Sequence, residues 1–232
     1  MVFEARRVMR EHPLIRIDLH THTHFSADSS AKMEAIIAAV KRRELDAIAV
    51  TDHNRIEGAL RLRDIAPFTV VVGEEIRTSE GEIIGLFLSA EVPAMLSPEE
   101  TIARIKDQGG VVYVPHPFDR VRPSHLKEAA LYRIVDHIDA VEVINSRTTL
   151  PWDNRRAERF CETYGLRRGA GSDAHLPREI GQAWVEMPPF ANAEEFLAGL
   201  EVGRAIGRLS LPLVHMATRW EKIRRRFRRD RS

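Results

Sequence analysis

The chain has little of what redox, membrane and nucleotide-cofactor proteins depend on. Cys161 is the one cysteine in 232 residues, which excludes a disulfide framework and a thiolate metal cluster and fits a reducing compartment. No apolar run approaches the roughly 18 residues of a membrane span. Residues 1–10 lack the apolar core of a signal peptide, so a cytoplasmic location is expected. Phe, Tyr and Trp make up only 6%, which leaves little material for base-stacking platforms. Neither a P-loop nor a dinucleotide glycine fingerprint occurs, which argues against ATP-driven and NAD chemistry. What is present is ordinary for a globular chain: 44% apolar and 30% charged residues, enough for a sizeable core.

Net charge is +1, but it is unevenly spread. Residues 219–232 hold eight basic side chains against two acids, so the body before them is mildly acidic. Such a tail reads as a solvated terminus, or as an attachment point for nucleic acid or a membrane surface. The length fits one domain with an appendage.

Short apolar runs alternate with helical segments. Strands are expected at 15–19, 47–50, 68–72, 111–114 and 140–144, with a hairpin arm at 82–88 after the turn at 79–81. Helical spacing marks 33–41, 56–64 and 152–164, the first with Ser29 or Ser30 as N-cap. Ser97 and Pro98 read as N-cap and first residue of a further helix. A strand at 183–187 and a helix at 193–200 follow, and His215 is the one chemically suggestive residue beyond them. This alternation argues for an α/β fold with parallel strands.

Imidazoles and carboxylates trail nearly every strand. The first ends in Asp18-Leu19-His20-Thr21-His22 and runs through His24 to Asp28. Later strands end in Thr51-Asp52-His53, Gly73-Glu74-Glu75, Pro115-His116 and Ser172-Asp173-Ala174-His175. In a parallel barrel those ends open on one face. Residues two apart on an extended segment point the same way, so His20 and His22 can grip one ion, and so can Asp173 and His175. A nitrogen and oxygen set suits Zn, Mn or Fe. About eight ligands exceed what one tetrahedral ion needs, which implies two or three divalent ions.

These motifs resemble the PHP (polymerase and histidinol phosphatase) family: Asp18-Leu19-His20-Thr21-His22-Thr23, Thr51-Asp52-His53-Asn54, Gly73-Glu74-Glu75-Ile76, Pro115-His116-Pro117 and Gly171-Ser172-Asp173-Ala174-His175. The resemblance implies a distorted seven-stranded (β/α) barrel, TIM-like, over 12–180, a C-terminal extension packed on it over 181–218, and a basic tail at 219–232. It also implies a trinuclear site. His20 and His22 would hold one ion, completed by Asp173. Glu75 would bridge to a second ion on His116. Asp28, His53 and His175 would hold a third. Asp28 sits in Ser26-Ala27-Asp28-Ser29, one residue longer than the family's usual Ser-Asp-Gly. Glu74 is a second candidate for the bridge, and His24 is a ligand, a proton donor or a loop residue.

The activity implied is hydrolysis of a small phosphate ester or nucleotide, by a hydroxide shared between two ions. His53, His175 and His24 are the candidate proton donors. Arg120 and Arg147 are the candidate phosphate partners, with Arg77, Arg122 and Arg178 behind them. Two alternatives stand beside this: an exonuclease on short RNA or DNA, and a non-catalytic metal-stabilised binding module. The sequence leaves oligomeric state and substrate open.

Overall fold

The computed structural model describes residues 13–209, so the expectations placed on residues 1–10, His215 and the basic tail lie outside the described residues. Nine strands among the described residues form one sheet: β1 (Ile15–Thr21), β2 (Ala47–Val50), β3 (Thr69–Thr78), β4 (Gly81–Leu86), β5 (Val111–Val114), β6 (Ala140–Asn145), β7 (Arg167–Gly171), β8 (Ala183–Met187) and β9 (Arg204–Gly207). Among the described residues six α-helices intervene: α1 (Met33–Arg43), α2 (Glu57–Ile65), α3 (Pro98–Lys106), α4 (Glu128–Arg133), α5 (Pro151–Tyr164) and α6 (Ala193–Val202).

The strand order is β7-β6-β5-β4-β3-β2-β1-β8-β9. β1, β2 and β3 pair in parallel, as do β5, β6 and β7. Not all strands are parallel, however. β4 runs antiparallel to β3 and β5 because a tight hairpin at 79–80 reverses the chain. The first seven strands curl into a nearly closed barrel. At its mouth Asp173 N–H donates to His20 O at 2.8 Å and His22 N–H to Ala174 O at 2.9 Å, which ties the last strand back to the first. β8 adds antiparallel to β1, and β9 to β8, so these two strands enlarge the sheet from seven strands to nine.

Alternation along the strands divides the core. Val112, Val114, Ile48 and Val50 pack outward with the helices, whereas Val111, Tyr113, Ala47, Ala49, Ile17 and Leu19 fill a second, inner cluster. Local chemistry fixes the helix ends. Ser97 and Glu100 form a capping box that starts α3. Gly165, at φ 66°, ends α5 in the left-handed conformation glycine tolerates.

Two boundaries differ from the sequence expectation. Ser29 does not cap α1, whose preceding residue is Lys32. Its hydroxyl bridges the carbonyls of His22 and His175 instead, at 3.2 and 3.0 Å. β3 also continues to Thr78, so Glu74 and Glu75 lie inside the strand. Pairing with β4 sustains it after β2 has ended.

Candidate metal centre

β1 delivers His20 and His22, both fully buried, to the barrel mouth. His20 Nδ1 lies 3.1 Å from Glu142 Oε1 of β6. A carboxylate only accepts, so Nδ1 carries the hydrogen and Nε2 faces inward. His22 Nδ1 lies 3.1 Å from Ser26 Oγ, which donates its own hydrogen to Asp52 Oδ1. His22 Nδ1 is therefore the donor, and its Nε2 also presents a lone pair. The two Nε2 atoms are 3.2 Å apart. Two lone pairs cannot face each other unless a positive charge lies between them: a proton in the ion-free protein, or a metal ion.

Carboxylates surround that point. Glu75 Oε2 lies 3.4 Å from both Nε2 atoms and 3.1 Å from His53 Nδ1. Asp173 Oδ1 lies 3.7 and 3.5 Å from the same two Nε2 atoms. Both oxygens are buried and have no hydrogen-bond partner among the described residues. Such orphans are costly unless a cation satisfies them. The donor set therefore fits a metal ion, and it would be held by His20, His22, Glu75 and Asp173.

The remaining sequence candidates fall around this pair. His116 Nε2 lies 3.1 Å from the other Glu75 oxygen, and its buried Nδ1 has no partner among the described residues. His116 adopts φ 30° and Asp173 φ 53°, backbone strain that the surrounding packing maintains. Asp28 lies 3.5 Å from His53 Nε2 and 3.4 Å from His175 Nε2. His175 Nδ1 donates to the Asp173 carbonyl at 2.9 Å, so its Nε2 too presents a lone pair, toward Asp28. The rings of His22, His53 and His175 cluster, and their ligand atoms lie within 4.8 Å of one another.

His24 lies outside these ligand groups, exposed, with its ring against Phe25. Glu74 points away from the cluster, and its carboxylate accepts from Val92 N–H at 2.8 Å. Arg120 is largely exposed and pairs with Asp153 at 3.2 Å. Arg147 is buried, 3.4 Å from the Asp173 carbonyl and 3.9 Å from Glu179. Arg122 is the arginine that enters the cluster: its guanidinium contacts Asp173 Oδ2 and lies 3.7 Å from Asp119. Arg77 pairs with Glu82, and Arg178 lines a separate open cavity with Arg42 and Arg43.

Electrostatics follow from this crowding. Burial opposes charge at His20, but the surrounding carboxylates outweigh it, and Asp173, Glu142 and Glu75 hold the imidazole well above its ordinary value. His53 is likewise pushed down by burial but raised on balance to about 9 by Glu75 and Asp28. Burial, with His175 and His53 beside it, lowers His22 to about 3. Glu75 and Asp173 resist burial because the imidazoles, and Arg122 beside Asp173, hold both well below the carboxylate range.

Sequence reasoning missed the supports. Glu142 holds His20 and also accepts from His116 N–H and Asn145 Nδ2, each at 2.8 Å. Asp52 accepts from Thr23 N–H and both the Thr23 and Ser26 hydroxyls, which fixes the loop carrying His22. Asp18 accepts from the amides of Ser172 and Gly181. Gly171 leaves room for this packing, since a Cβ there would lie 2.3 Å from the His20 Cβ. An acid inside an apolar strand, as in Ala140–Asn145 and Ile15–Thr21, was the available signal.

An α/β barrel with a buried histidine–carboxylate cluster at its mouth is the class that fold and site define. Residues 18–109 match the PHP domain model, and residues 151–205 match the model described as PHP-associated. Two uncharacterized proteins of Methanocaldococcus jannaschii are similar: MJ1587 is 40% identical over 146 residues, 57% of this chain and 82% of that one. MJ0417 is 32% identical over 198 residues, 81% of this chain and 80% of its own. The chain belongs to the PHP family. The fold is shared with a two-domain protein from Bacteroides vulgatus described as containing a predicted PHP-like metal-dependent phosphoesterase: TM-score 0.66, 20% identity, covering 84% of this chain and 65% of that one.

Proposed function

We propose that the protein is a metal-dependent phosphoesterase acting on a small phosphate ester or nucleotide. The observation that supports this most directly is the pair of facing His20 and His22 lone pairs, 3.2 Å apart, ringed by the partnerless Glu75 Oε2 and Asp173 Oδ1. In this reading His20, His22 and Asp173 would hold one ion, Glu75 and His116 a second, and Asp28, His53 and His175 a third. Bound divalent ions supply Lewis acidity toward phosphoryl oxygens and a nucleophile at neutral pH.

The protein's own groups do the positioning. Glu142 fixes the tautomer and orientation of His20, as a carboxylate behind a metal-bound imidazole does. Arg122, anchored by Asp119 and Asp173, offers a planar guanidinium to a phosphoryl group arriving at the mouth. His53 and His175 being committed as ligands, the exposed His24 is assigned to protonate the leaving oxygen.

The test is turnover of p-nitrophenyl phosphate and of 3′,5′-bisphosphonucleosides by full-length protein reconstituted with Mn, Zn, Fe or Co. Release of phosphate with at least one ion is expected, and none with any of the four would sink the reading.

A further inference from the structure

α1 ends in Arg42 and Arg43, and the connection between β7 and β8 passes beside them. Arg42, Arg43 and Arg178, with Leu176 and Pro177, line an open cavity of about 580 Å³. None of the three guanidinium groups makes an ion pair among the described residues. The adjacent acids in sequence are engaged elsewhere. Glu44 lies 3.7 Å from Arg16 Nη1, and Glu179 accepts from the amides of His175 and Leu176 at 3.0 and 2.9 Å.

The cluster keeps most of its donors. Arg42 Nη2 donates to the Pro177 carbonyl at 3.5 Å, and Arg43 Nη2 to the Arg178 carbonyl at 3.3 Å. Arg43 Nε is buried with no hydrogen-bond partner among the described residues. Each guanidinium has five N–H donors, so these contacts use only a few of those present. The stem of Arg43 is laid closely on Gly181, where a Cβ would lie 3.0 Å from its Cβ and Cγ, so part of the ordering that a ligand would require is already in place.

A structural role explains part of this. The helix macrodipole favours cations at the end of α1, and Lys41 stands there too. It gives no reason for Arg178, from another segment, to join them. The carbonyl contacts hold the connection to the helix, yet they gather three like charges with no acid between them. A bound anion offsets that repulsion. A carboxylate is planar and saturates one guanidinium fork. A phosphoryl group directs its oxygens several ways, and so meets guanidinium groups arriving from α1 and from the connection together.

We propose that this cavity is an anion site for a compact ligand with linked phosphoryl groups, held by Arg42, Arg43 and Arg178. It does not depend on the metal reading.

Full-length wild type, stripped of ions and kept in chelator so that no ion at the mouth recruits the anion, is titrated calorimetrically with sodium pyrophosphate. Saturable binding is expected. Arg43→Gln and Arg178→Gln should each weaken it about tenfold or more, the loss of a charge-assisted contact. Arg104→Gln removes an exposed arginine of α3 with the same change in net charge and should bind as wild type does. Residues 219–232 are the same in all these proteins, so differences among them report the cavity. Citrate, a polycarboxylate, should bind wild type at least about tenfold more weakly than pyrophosphate.

Wild type without saturable binding overturns the proposal. So does Arg178→Gln binding as wild type does. Equal weakening by Arg104→Gln and Arg178→Gln also overturns it, as the mark of general attraction to positive charge. Citrate matching pyrophosphate overturns the phosphoryl assignment. Arg178 is exposed, so its variant is expected to fold. Should Arg43→Gln fail to fold, Arg42→Gln takes its place, with the same weakening expected.

Discussion

Along β5 and β6 the barrel lumen changes character within a few residues. Tyr113 and Ala140 belong to a buried, largely apolar floor shared with Ile17, Leu19 and Val71. Glu142 and His116, just above, belong to the charged mouth. The floor is stabilised by area removed from water and by close packing. Among the described residues the mouth brings eight histidines and carboxylates of the ligand groups together, several of them fully buried, and gains from that only when cations offset the carboxylates. Removing a side chain should therefore act oppositely in the two halves: on ion retention above, on folding stability below.

The sharpest break is Glu75→Ala. Both Glu75 oxygens face imidazoles, so its loss should release bound ions and lower phosphatase kcat/KM on the order of 10³-fold, several kcal/mol of transition-state stabilisation. Elemental analysis and steady-state kinetics check this. The ion-free thermal midpoint should fall little or even rise.

Protons test the mouth in another way. They compete with ions for the imidazole lone pairs, and His20 favours its proton because Asp173, Glu142 and Glu75 outweigh burial there. Ion content after dialysis should therefore fall as pH drops below about 6. Full occupancy retained at pH 5 would contradict a histidine-rich centre.

On the floor, Leu19→Ala should cost about 3 kcal/mol in denaturant unfolding by leaving a cavity. Bound ions per chain should stay as in wild type. If ion content falls in proportion to stability, the two halves are one cooperative unit and the contrast fails.

Glu74 borders the contrast, a buried acid aimed away from the ligand groups. Burial, with Glu91 adding to it and the Val92 amide opposing, raises its carboxyl from an ordinary 4.5 to about 7. The folded state thus holds this proton more tightly than the unfolded chain. Its contribution is full below about pH 4.5 and is lost as pH rises through about 7. Glu74→Gln should flatten that part of the stability–pH curve by up to about 3 kcal/mol. Thermal midpoints of both proteins at pH 5 and pH 8.5 measure it.

The smallest effect is expected at Cys161, buried between α5 and the sheet. Burial raises its thiol to about 12, so alkylation by iodoacetamide at pH 8 should be slow until the protein unfolds.

Much of the mouth could be read from local patterns. His20 and His22, or Asp173 and His175, need only an extended backbone to be co-directed. The Ser97 and Glu100 capping box needs only one helix turn. Other features depended on contacts distant in sequence. Asp28 reaches His53 and His175 because Ser26 and Ser29 bind the loop to Asp52 and to two ligand-bearing carbonyls. Among neighbouring arginines, Asp153 draws Arg120 outward whereas Asp119 and Asp173 draw Arg122 in. Glu82 faces the cluster because hairpin pairing sets Arg77 opposite it, and a slip of one residue would reverse the strand's faces.

By itself, then, the order of residues determined which chemistries were available: nitrogen and oxygen donors after successive strands, no thiolate set, no nucleotide loop. Those follow from residue type and from periodicities of two and 3.6, which are properties of a short stretch of chain. Only the tertiary structure decided which donors share a point in space. Barrel closure and strand register place side chains distant in sequence within a few ångströms, and they leave Glu75, Glu82 and Asp173 with buried oxygens that have no hydrogen-bond partner among the described residues.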